Sequence, residues 1–231
     1  MKGSISMLRL KAIAPLRLPD DELVRRQHRY DRLAGDGLTI ELVNLTGDGD
    51  GDVPERLDTS DDIARSAELV RAEIGRTDPA RFDAILPDCV LDPCVGEGVP
   101  SPVPVLGILQ LSAGLLAALG LPFGAVTRNQ AIGDELRRKL ALYHLAGTLT
   151  SVAILDIDFC LISDHTGWAA AMEPVVSELG QAGAAAVLNG CSAVDVSDDA
   201  VSGTRIVDPT QVALRMVAMP PLSSLLSVNG V

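Results

Sequence analysis

The chain has 231 residues, of which 47% are hydrophobic and 22% are charged, and its formal net charge at pH 7 is −12. This composition is ordinary for a folded protein, and the length allows one large domain or two small ones. The negative charge and the lack of a basic stripe argue against a nucleic-acid partner.

From the sequence we expect neither an export signal peptide nor a membrane-spanning segment. Arg9, Lys11 and Arg17 interrupt any apolar stretch near the N-terminus, unlike a signal peptide. The uncharged stretch 98–127 contains four prolines, which argue against a membrane span. We therefore expect a cytoplasmic protein whose four cysteines are mainly free thiols.

Strand and helix patterns alternate through the first half of the chain. Pro19 followed by three acidic residues is typical of a helix start. In chain order we predict a strand at 8–14, a helix from 19 to about 33, a strand at 38–45, a helix capped by Thr59 or Ser60 that runs to about 74, and strands at 82–86 and 103–108.

The aspartate-rich segment 46–52 resembles a calcium-binding loop only in part. Val53 stands where such a loop needs its turn glycine, and Thr59 stands where it needs its bidentate glutamate. We therefore interpret the segment as a solvated loop.

The second half repeats the alternation of strands and helices. The predicted elements are a helix at 112–119, a strand at 123–126, a helix at 131–143, a strand at 151–155, a helix at 168–181, strands at 185–188 and 205–207, and a final helix from about 210. Such alternation indicates an α/β fold with parallel sheets. We predict two Rossmann-like lobes related by pseudo-twofold symmetry, formed by 1–111 with 212–231 and by 112–211. The active site would lie in the cleft between them.

Each half contains an apolar run that is followed by two polar or turn-forming residues and then a cysteine. The runs are 84–86 and 186–188, and the cysteines are Cys89 and Cys191. An apolar run of this kind is typical of a buried parallel strand, and ligands bind at the carboxyl ends of such strands. The sequence therefore predicts that each lobe delivers one thiol to an equivalent position.

Two facing thiols can invert a carbon centre without a cofactor. A thiol has an ordinary pKa of about 8.5, and a helix N-terminus, which we expect after each cysteine, lowers it. One thiolate can remove a proton while the opposite thiol returns one, which is racemisation or epimerisation. The backbone N–H groups of Val90, Ser192 and Ala193 are candidate donors to the enolate oxygen. We interpret Cys94 and Cys160 as structural.

Other chemistries lack support in the sequence. His28, His144 and His165 are scattered, and the Cys89 and Cys94 pair has no second ligand pair at zinc spacing. A P-loop, a Gly-x-Gly-x-x-Gly motif and a Gly-x-Ser-x-Gly motif are all absent. We therefore expect neither a metal nor a cofactor.

Both cysteine segments are similar to motifs of the Asp/Glu/hydantoin racemase superfamily, and most closely to those of its hydantoin racemase branch. Residues 88–93 resemble the pattern Ala-Cys-x-x-Asp-Pro, with Asp88 in place of the alanine. Residues 103–108 resemble the strand Pro-Val-Val-Gly-Ile. Residues 188–193 resemble the pattern Leu-Gly-Cys-[Thr/Ala]-Gly, with an inserted Asn189 beside the glycine.

The resemblance implies two Rossmann-like lobes, no cofactor and a small hydantoin-like or amino-acid-like substrate. By position it implies that Cys89 and Cys191 are the acid/base pair and that Thr127 and Ser60 contact the ligand. One departure concerns the first strand, which in the family ends in Asn-Pro-Asn-[Thr/Ser] and here is followed by 14–17, Ala-Pro-Leu-Arg. Arg17 could pair with a substrate carboxylate; the alternative is that it is a surface charge.

Three functions remain open from the sequence. The first is a cofactor-independent racemase or epimerase. The second is a cis–trans isomerase or decarboxylase of the same superfamily that acts on a small dicarboxylate-like substrate. The third is a non-catalytic relative. A homo-oligomer is possible, although nothing in the sequence specifies one.

Overall fold

The structure is a computed structural model that describes residues 7–46, 53–162, 165–196, 200–201, 203–219 and 225–226. All but the first residue of the aspartate-rich loop therefore lies outside the described residues. The side chains of Cys160 and His165 also lie outside the description, so our interpretation of these two residues is not tested.

The described elements follow the predicted order closely. The strands are β1 (Leu8–Ile13), β2 (Leu38–Val43), β3 (Ala84–Pro87), β4 (Phe123–Thr127), β5 (Leu149–Ile154), β6 (Ala186–Asn189), β7 (Ala200–Val201) and β8 (Thr204–Val207). The helices are α1 (Asp20–Ala34), α2 (Ser60–Gly75), α3 (Ile108–Ala118), α4 (Gln130–Leu142), α5 (His165–Gln181) and α6 (Pro209–Ala218).

The strands form two sheets, which confirms the predicted α/β class. The first sheet has the order β2-β1-β3, and all of its strands are parallel. The second has the order β5-β4-β6-β8-β7, in which only β7 is antiparallel. Strand β1 of the first sheet and β4 of the second are equivalent, and so are β3 and β6 beside them. The two predicted cysteine strands therefore occupy matching places.

The predicted strand at 103–108 is wrong in most of its length. Only Val105 forms a bridge, to Ile85 of β3, and helix α3 already begins at Ile108. Pro102 and Pro104 precede Val105 and have no N–H to donate to a neighbouring strand, which limits the ladder to one rung. The short strand β7 was not predicted.

Polar side chains cap helices α2 and α6. Thr59 accepts a hydrogen bond from the Asp62 N–H at 3.1 Å, and the Asp62 carboxylate accepts the Thr59 N–H at 2.9 Å. This reciprocal capping box confirms the predicted start of α2. Asp208 caps α6 by accepting the Gln211 N–H at 3.1 Å.

One apolar core joins the two sheets. The same cluster of buried side chains includes Leu10 of β1, Leu86 of β3, Ala125 of β4 and Leu188 of β6. Helix α6 packs on α3 and α1. The predicted division into lobes stays a prediction, since the shared core does not set a boundary. Among the described residues, every helix is too short or too polar to cross a membrane.

Candidate active site

The two cysteines follow their strands in the same way. Cys89 is the second residue after β3, and Cys191 is the second residue after β6. The residue before each cysteine donates its backbone N–H to the neighbouring strand, at 2.7 Å to the Ile13 carbonyl of β1 and 2.7 Å to the Val126 carbonyl of β4. The backbone therefore presents the two thiols from equivalent positions.

Both cysteines line a single narrow pocket of about 60 Å³. Its wall is mainly apolar, with a few charged groups. Ser192 links the two cysteine loops, because its hydroxyl donates to the Asp88 carbonyl at 3.3 Å. The other lining residues are Pro15, Leu16, Arg26, Leu57, Asp88, Val90, Leu91, Arg128, Ile132, Phe159, Ile162, Gly190, Ser192 and Ala193.

The pocket contains some of the residues proposed from sequence and omits others. Val90, Ser192 and Ala193 line it together with the cysteines. Three others do not line this pocket in the described part of the chain. Arg17 is exposed in an adjoining depression, and Ser60 is exposed at a neighbouring cavity that also reaches Cys89. Thr127 is buried at the end of β4, where its hydroxyl donates to the Asn129 carbonyl.

The thiols are not activated in the way that the sequence suggested. Among the described residues, turns and not helices follow both cysteines directly, so the expected helix N-termini are wrong. Burial raises the pKa of Cys89 to about 12 and also raises the pKa of Cys191. The backbone N–H groups of Leu91 and Ala193 oppose this effect, since they donate to the Cys89 and Cys191 sulfurs respectively and lower the pKa.

Charges around the two thiols differ in sign. Besides burial and the N–H contact, the Asp88 and Asp92 carboxylates raise the pKa of Cys89 further. Positive charges act on Cys191 and lower its pKa. These charges belong to the three arginines Arg26, Arg29 and Arg128.

Helix α1 supplies a buried polar network beside Cys89. The Arg26 guanidinium lies 3.1 Å from one carboxylate oxygen of Asp88, and the Tyr30 hydroxyl donates to the other at 2.7 Å. Arg26 also pairs with Glu22 at 2.7 Å. Glu22, Arg26 and Tyr30 are spaced four residues apart and share one face of α1. This spacing was a signal in the sequence that we did not use.

Helix α1 also holds the loop that carries Cys191. Arg29 donates to the Ser192 carbonyl at 2.7 Å and pairs with Asp208 at 2.6 Å. Arg25 donates to the Ala193 carbonyl at 2.9 Å. A helix that packs on the first sheet therefore fixes the loop of the second sheet.

Asp92, from the first cysteine motif, anchors the other loop. Its buried carboxylate accepts the N–H groups of Leu109 and Gln110 at 3.0 and 2.8 Å, at the start of α3, and the Tyr143 hydroxyl at 3.0 Å. A side chain at Gly107 would clash with this carboxylate. Burial raises the pKa of Asp92 to about 6, even though these donors favour its ionised form.

Arg128 is a further charged residue of the pocket that sequence reasoning missed. Its guanidinium donates to the Leu57 carbonyl at 2.9 Å, pairs with Asp58, and lies 5.5 Å from the centre of the Phe159 ring. Its buried Nε atom has no hydrogen-bond partner in the described part of the chain. No group of three or more His, Cys, Asp or Glu side chains among the described residues could hold a metal ion.

The chain belongs to the Asp/Glu/hydantoin racemase family, whose sequence profile matches residues 30–217. No curated protein matches it in sequence. Its fold is similar to that of two allantoin racemases. The enzyme from Klebsiella pneumoniae has a TM-score of 0.76 and 18% identity, with 96% of this chain and 88% of that chain covered. The enzyme from Pseudomonas fluorescens has a TM-score of 0.74 and 20% identity, with 96% and 92% covered.

The same fold also occurs in an enzyme of another reaction type. The maleate isomerase Iso from Pseudomonas putida S16 has a TM-score of 0.57 and 12% identity, with 93% of each chain covered. At such identities the likeness shows the fold alone. The reaction has to be argued from the site.

Proposed function

We propose that this protein is a cofactor-independent racemase or epimerase that acts on an acidic C–H of a small hydantoin-like or amino-acid-like substrate. The observation that carries the proposal is that Cys89 and Cys191 line one pocket from equivalent positions of two sheets. A carbon held between two such groups presents one face to each sulfur. This is the geometry that two-base proton exchange needs.

The charges around the thiols suggest which one begins as the base. Burial raises the pKa of both thiols, but nearby arginines oppose this effect at Cys191 whereas carboxylates add to it at Cys89. Cys191 is therefore the easier of the two thiols to ionise, and we assign the base that starts the reaction to Cys191 and the acid to Cys89. For the substrate of opposite configuration the two roles are exchanged, so that Cys89 is the base and Cys191 is the acid.

The reaction balances without any redox partner. The Cys191 thiolate removes the proton, and the C–H electron pair delocalises onto the adjacent carbonyl as an enolate. The Cys89 thiol then protonates the opposite face of the carbon, which leaves Cys89 as thiolate and Cys191 as thiol. No net electron transfer occurs, and the next substrate of the opposite hand or solvent exchange restores the starting state.

Backbone donors have separate tasks in this scheme. The N–H groups of Leu91 and Ala193 point at the sulfurs and stabilise the thiolate form of each. This changes the role that we expected for Ala193. Val90 and Ser192 remain the proposed N–H donors to the enolate oxygen, because both residues line the pocket.

Family membership supports this proposal, and the two allantoin racemases support a hydantoin-like substrate. The maleate isomerase keeps the alternative of cis–trans isomerisation open, since fold alone does not select a reaction. Retention of both cysteines disfavours a decarboxylase with a single proton donor.

Proton NMR in heavy water tests the proposal with a panel of hydantoins, amino acids, substituted malonates and maleates. We expect exchange of a stereogenic C–H together with loss of optical rotation. If product forms from maleate or malonate without such exchange, the protein is an isomerase or a decarboxylase and the racemase proposal is wrong. No change across the panel, together with slow alkylation of both thiols at high pH, would remove the two-thiol mechanism.

A further inference from the structure

We propose that the substrate carries a carboxylate and that Arg128 binds it, so that Arg128 determines specificity for acidic over neutral substrates. This inference rests on the proposed function, because it concerns the same pocket. It names a property of the substrate that the two-cysteine chemistry leaves open.

Arg128 is built into the pocket wall and is not a mobile surface charge. Arg128 is only 5% exposed. The Leu57 carbonyl and Asp58 hold one end of the guanidinium, through Nη2, and the Phe159 ring lies against it. The geometry leaves the buried Nε donor without a partner among the described residues. Buried donors in proteins are nearly always paired, and we assign the missing partner of this one to the ligand.

The charge balance of the pocket points to an anionic ligand. Arg26 is matched by two well-shielded carboxylates, those of Glu22 and Asp88. Among the described residues, Arg128 has one ion-pair partner, Asp58, and 39% of the Asp58 side chain is exposed. A buried guanidinium with one half-solvated counter-ion is a suitable partner for a carboxylate, to which its planar donors match.

The place of Arg128 also suits the reaction. It acts on the Cys191 sulfur as one of the positive charges that favour the thiolate. A substrate carboxylate on Arg128 would thus lie on the Cys191 side of the pocket and leave the reacting carbon between the thiols. The apolar side chains of Ile132, Phe159 and Ile162 would cover the rest of a small molecule.

Arg17 is the rival candidate for this role, since the sequence suggested it for the same ligand group. It is exposed, and it lies in the adjoining depression that shares Arg26 and Phe159 with the pocket. Arg128 differs in being buried beside a catalytic thiol. The two assignments are separable by mutation.

A matched pair of probes tests the inference. Hydantoin-5-acetate and hydantoin-5-acetamide share the ring and its acidic C–H and differ in the charge of the side chain. We expect the wild-type protein to exchange the C–H of the acetate with a kcat/KM about 30-fold above that of the acetamide. Arg128→Gln should reduce kcat/KM for the acetate by about 100-fold and for the acetamide by less than about threefold. Arg128→Lys, which keeps the charge but not the planar fork, should fall between.

Three further variants keep the test clear. Arg137→Gln, at a half-buried arginine of α4 that pairs with Asp134 and does not line the pocket, should leave the rates with both substrates unchanged. Arg17→Gln should also leave their ratio unchanged. Asp58→Asn keeps the guanidinium and removes its competing carboxylate, so it should tighten acetate binding a fewfold even if Arg128→Gln fails to fold.

Calorimetric binding of hydantoin-5-acetate to the wild-type protein and to Arg128→Gln gives a readout that needs no turnover. If hydantoin-5-acetate binds in a way that depends on Arg128 but its C–H does not exchange, the result would support the carboxylate site and contradict the proton-transfer proposal. Exchange of both probes at equal rates, or a preference lost in Arg17→Gln and kept in Arg128→Gln, would overturn the carboxylate site and leave the racemase. Neither binding nor exchange of the acetate would overturn the carboxylate site, and C–H exchange in any other hydantoin or amino acid of the panel would leave the racemase.

Discussion

The loops that carry Cys89 and Cys191 have equivalent backbone hydrogen bonds and opposite surroundings. Each cysteine follows a matching strand, and each sulfur accepts an N–H from the residue two positions later. Yet Cys89 lies among carboxylates, and Cys191 lies among arginines. Fold symmetry therefore places the thiols, and the charged side chains around each loop distinguish them.

The anchors of the two loops differ as well. Asp92 fixes the first loop to the N-terminus of α3, within reach of Tyr143. Arginines of α1, above all Arg29, fix the second loop. The first anchor is a titratable carboxyl, whereas the second is a set of permanent cations. Changes of pH should thus act on one loop and leave the other anchored.

The largest expected effect comes from removing either thiol. Cys89→Ser and Cys191→Ser should each lower C–H exchange by about 10³-fold or more, because a hydroxyl is a far weaker base and acid than a thiol near neutral pH. If the thiols are as unlike as their surroundings, single-turnover exchange should begin faster from one enantiomer than from the other. Chiral chromatography of each pure enantiomer after incubation measures this.

Cys94 provides the matched control for those variants. It is buried, and its sulfur lies 3.4 Å from the Ala67 carbonyl, away from the pocket lining. Cys94→Ser should keep kcat within about twofold. A loss as large as that of the other two variants would mean that serine substitution damages this fold generally and that the thiol pair is not special.

The next largest effect should come from Arg29→Met, which tests the anchor of the Cys191 loop. The side chain of Arg29 is 3% exposed and that of its partner Asp208 is 4% exposed. Removing one partner of a buried pair costs about 3–5 kcal/mol, because the other charge is left uncompensated. Urea unfolding should show this loss in the free energy of unfolding.

Arg32→Met is the control on the same helix. Arg32 pairs with Asp195 at 3.2 Å, but its side chain is 62% exposed. Surface ion pairs contribute about 0–1 kcal/mol, so this variant should unfold almost as the wild type does. Equal losses for the two arginine variants would contradict the role of α1 as a buried clamp.

Gly190→Ala tests a difference within the repeat itself. The position before Cys89 is Asp88, whose side chain has room to reach Arg26, whereas a Cβ at Gly190 would meet the Val126 carbonyl. We expect a loss of about 1–3 kcal/mol in the free energy of unfolding, since the backbone must shift. Gly147→Ala, at a glycine with open space around it, should change little. Tolerance of Gly190→Ala would show that the two loops pack alike.

Much of this arrangement could be predicted from sequence, because it depends on local patterns. The apolar runs and the turn residues after them located both cysteines. The charges around the thiols could not be predicted in that way. Arg29 and Ser192 are 163 residues apart and meet only because α1 packs against the second loop. Likewise, Arg17 follows a pocket-lining stretch but points outward, since its neighbours Leu16 and Leu18 are buried.

The smallest expected effect concerns pH and the anchor of the Cys89 loop. The pKa of Asp92 is about 6 in the folded protein, above its ordinary value of 3.8. The folded state therefore binds more protons than the unfolded state between those values, and this contribution to stability grows as the pH falls through 6. From pH 7 to pH 5, the wild type should gain about 1 kcal/mol relative to Asp92→Asn, which lacks this titration. Urea unfolding of both proteins at the two pH values measures the difference. If the difference in the free energy of unfolding between the two proteins stays constant, or changes in the opposite direction, Asp92 remains ionised throughout and the two loop anchors respond to pH alike.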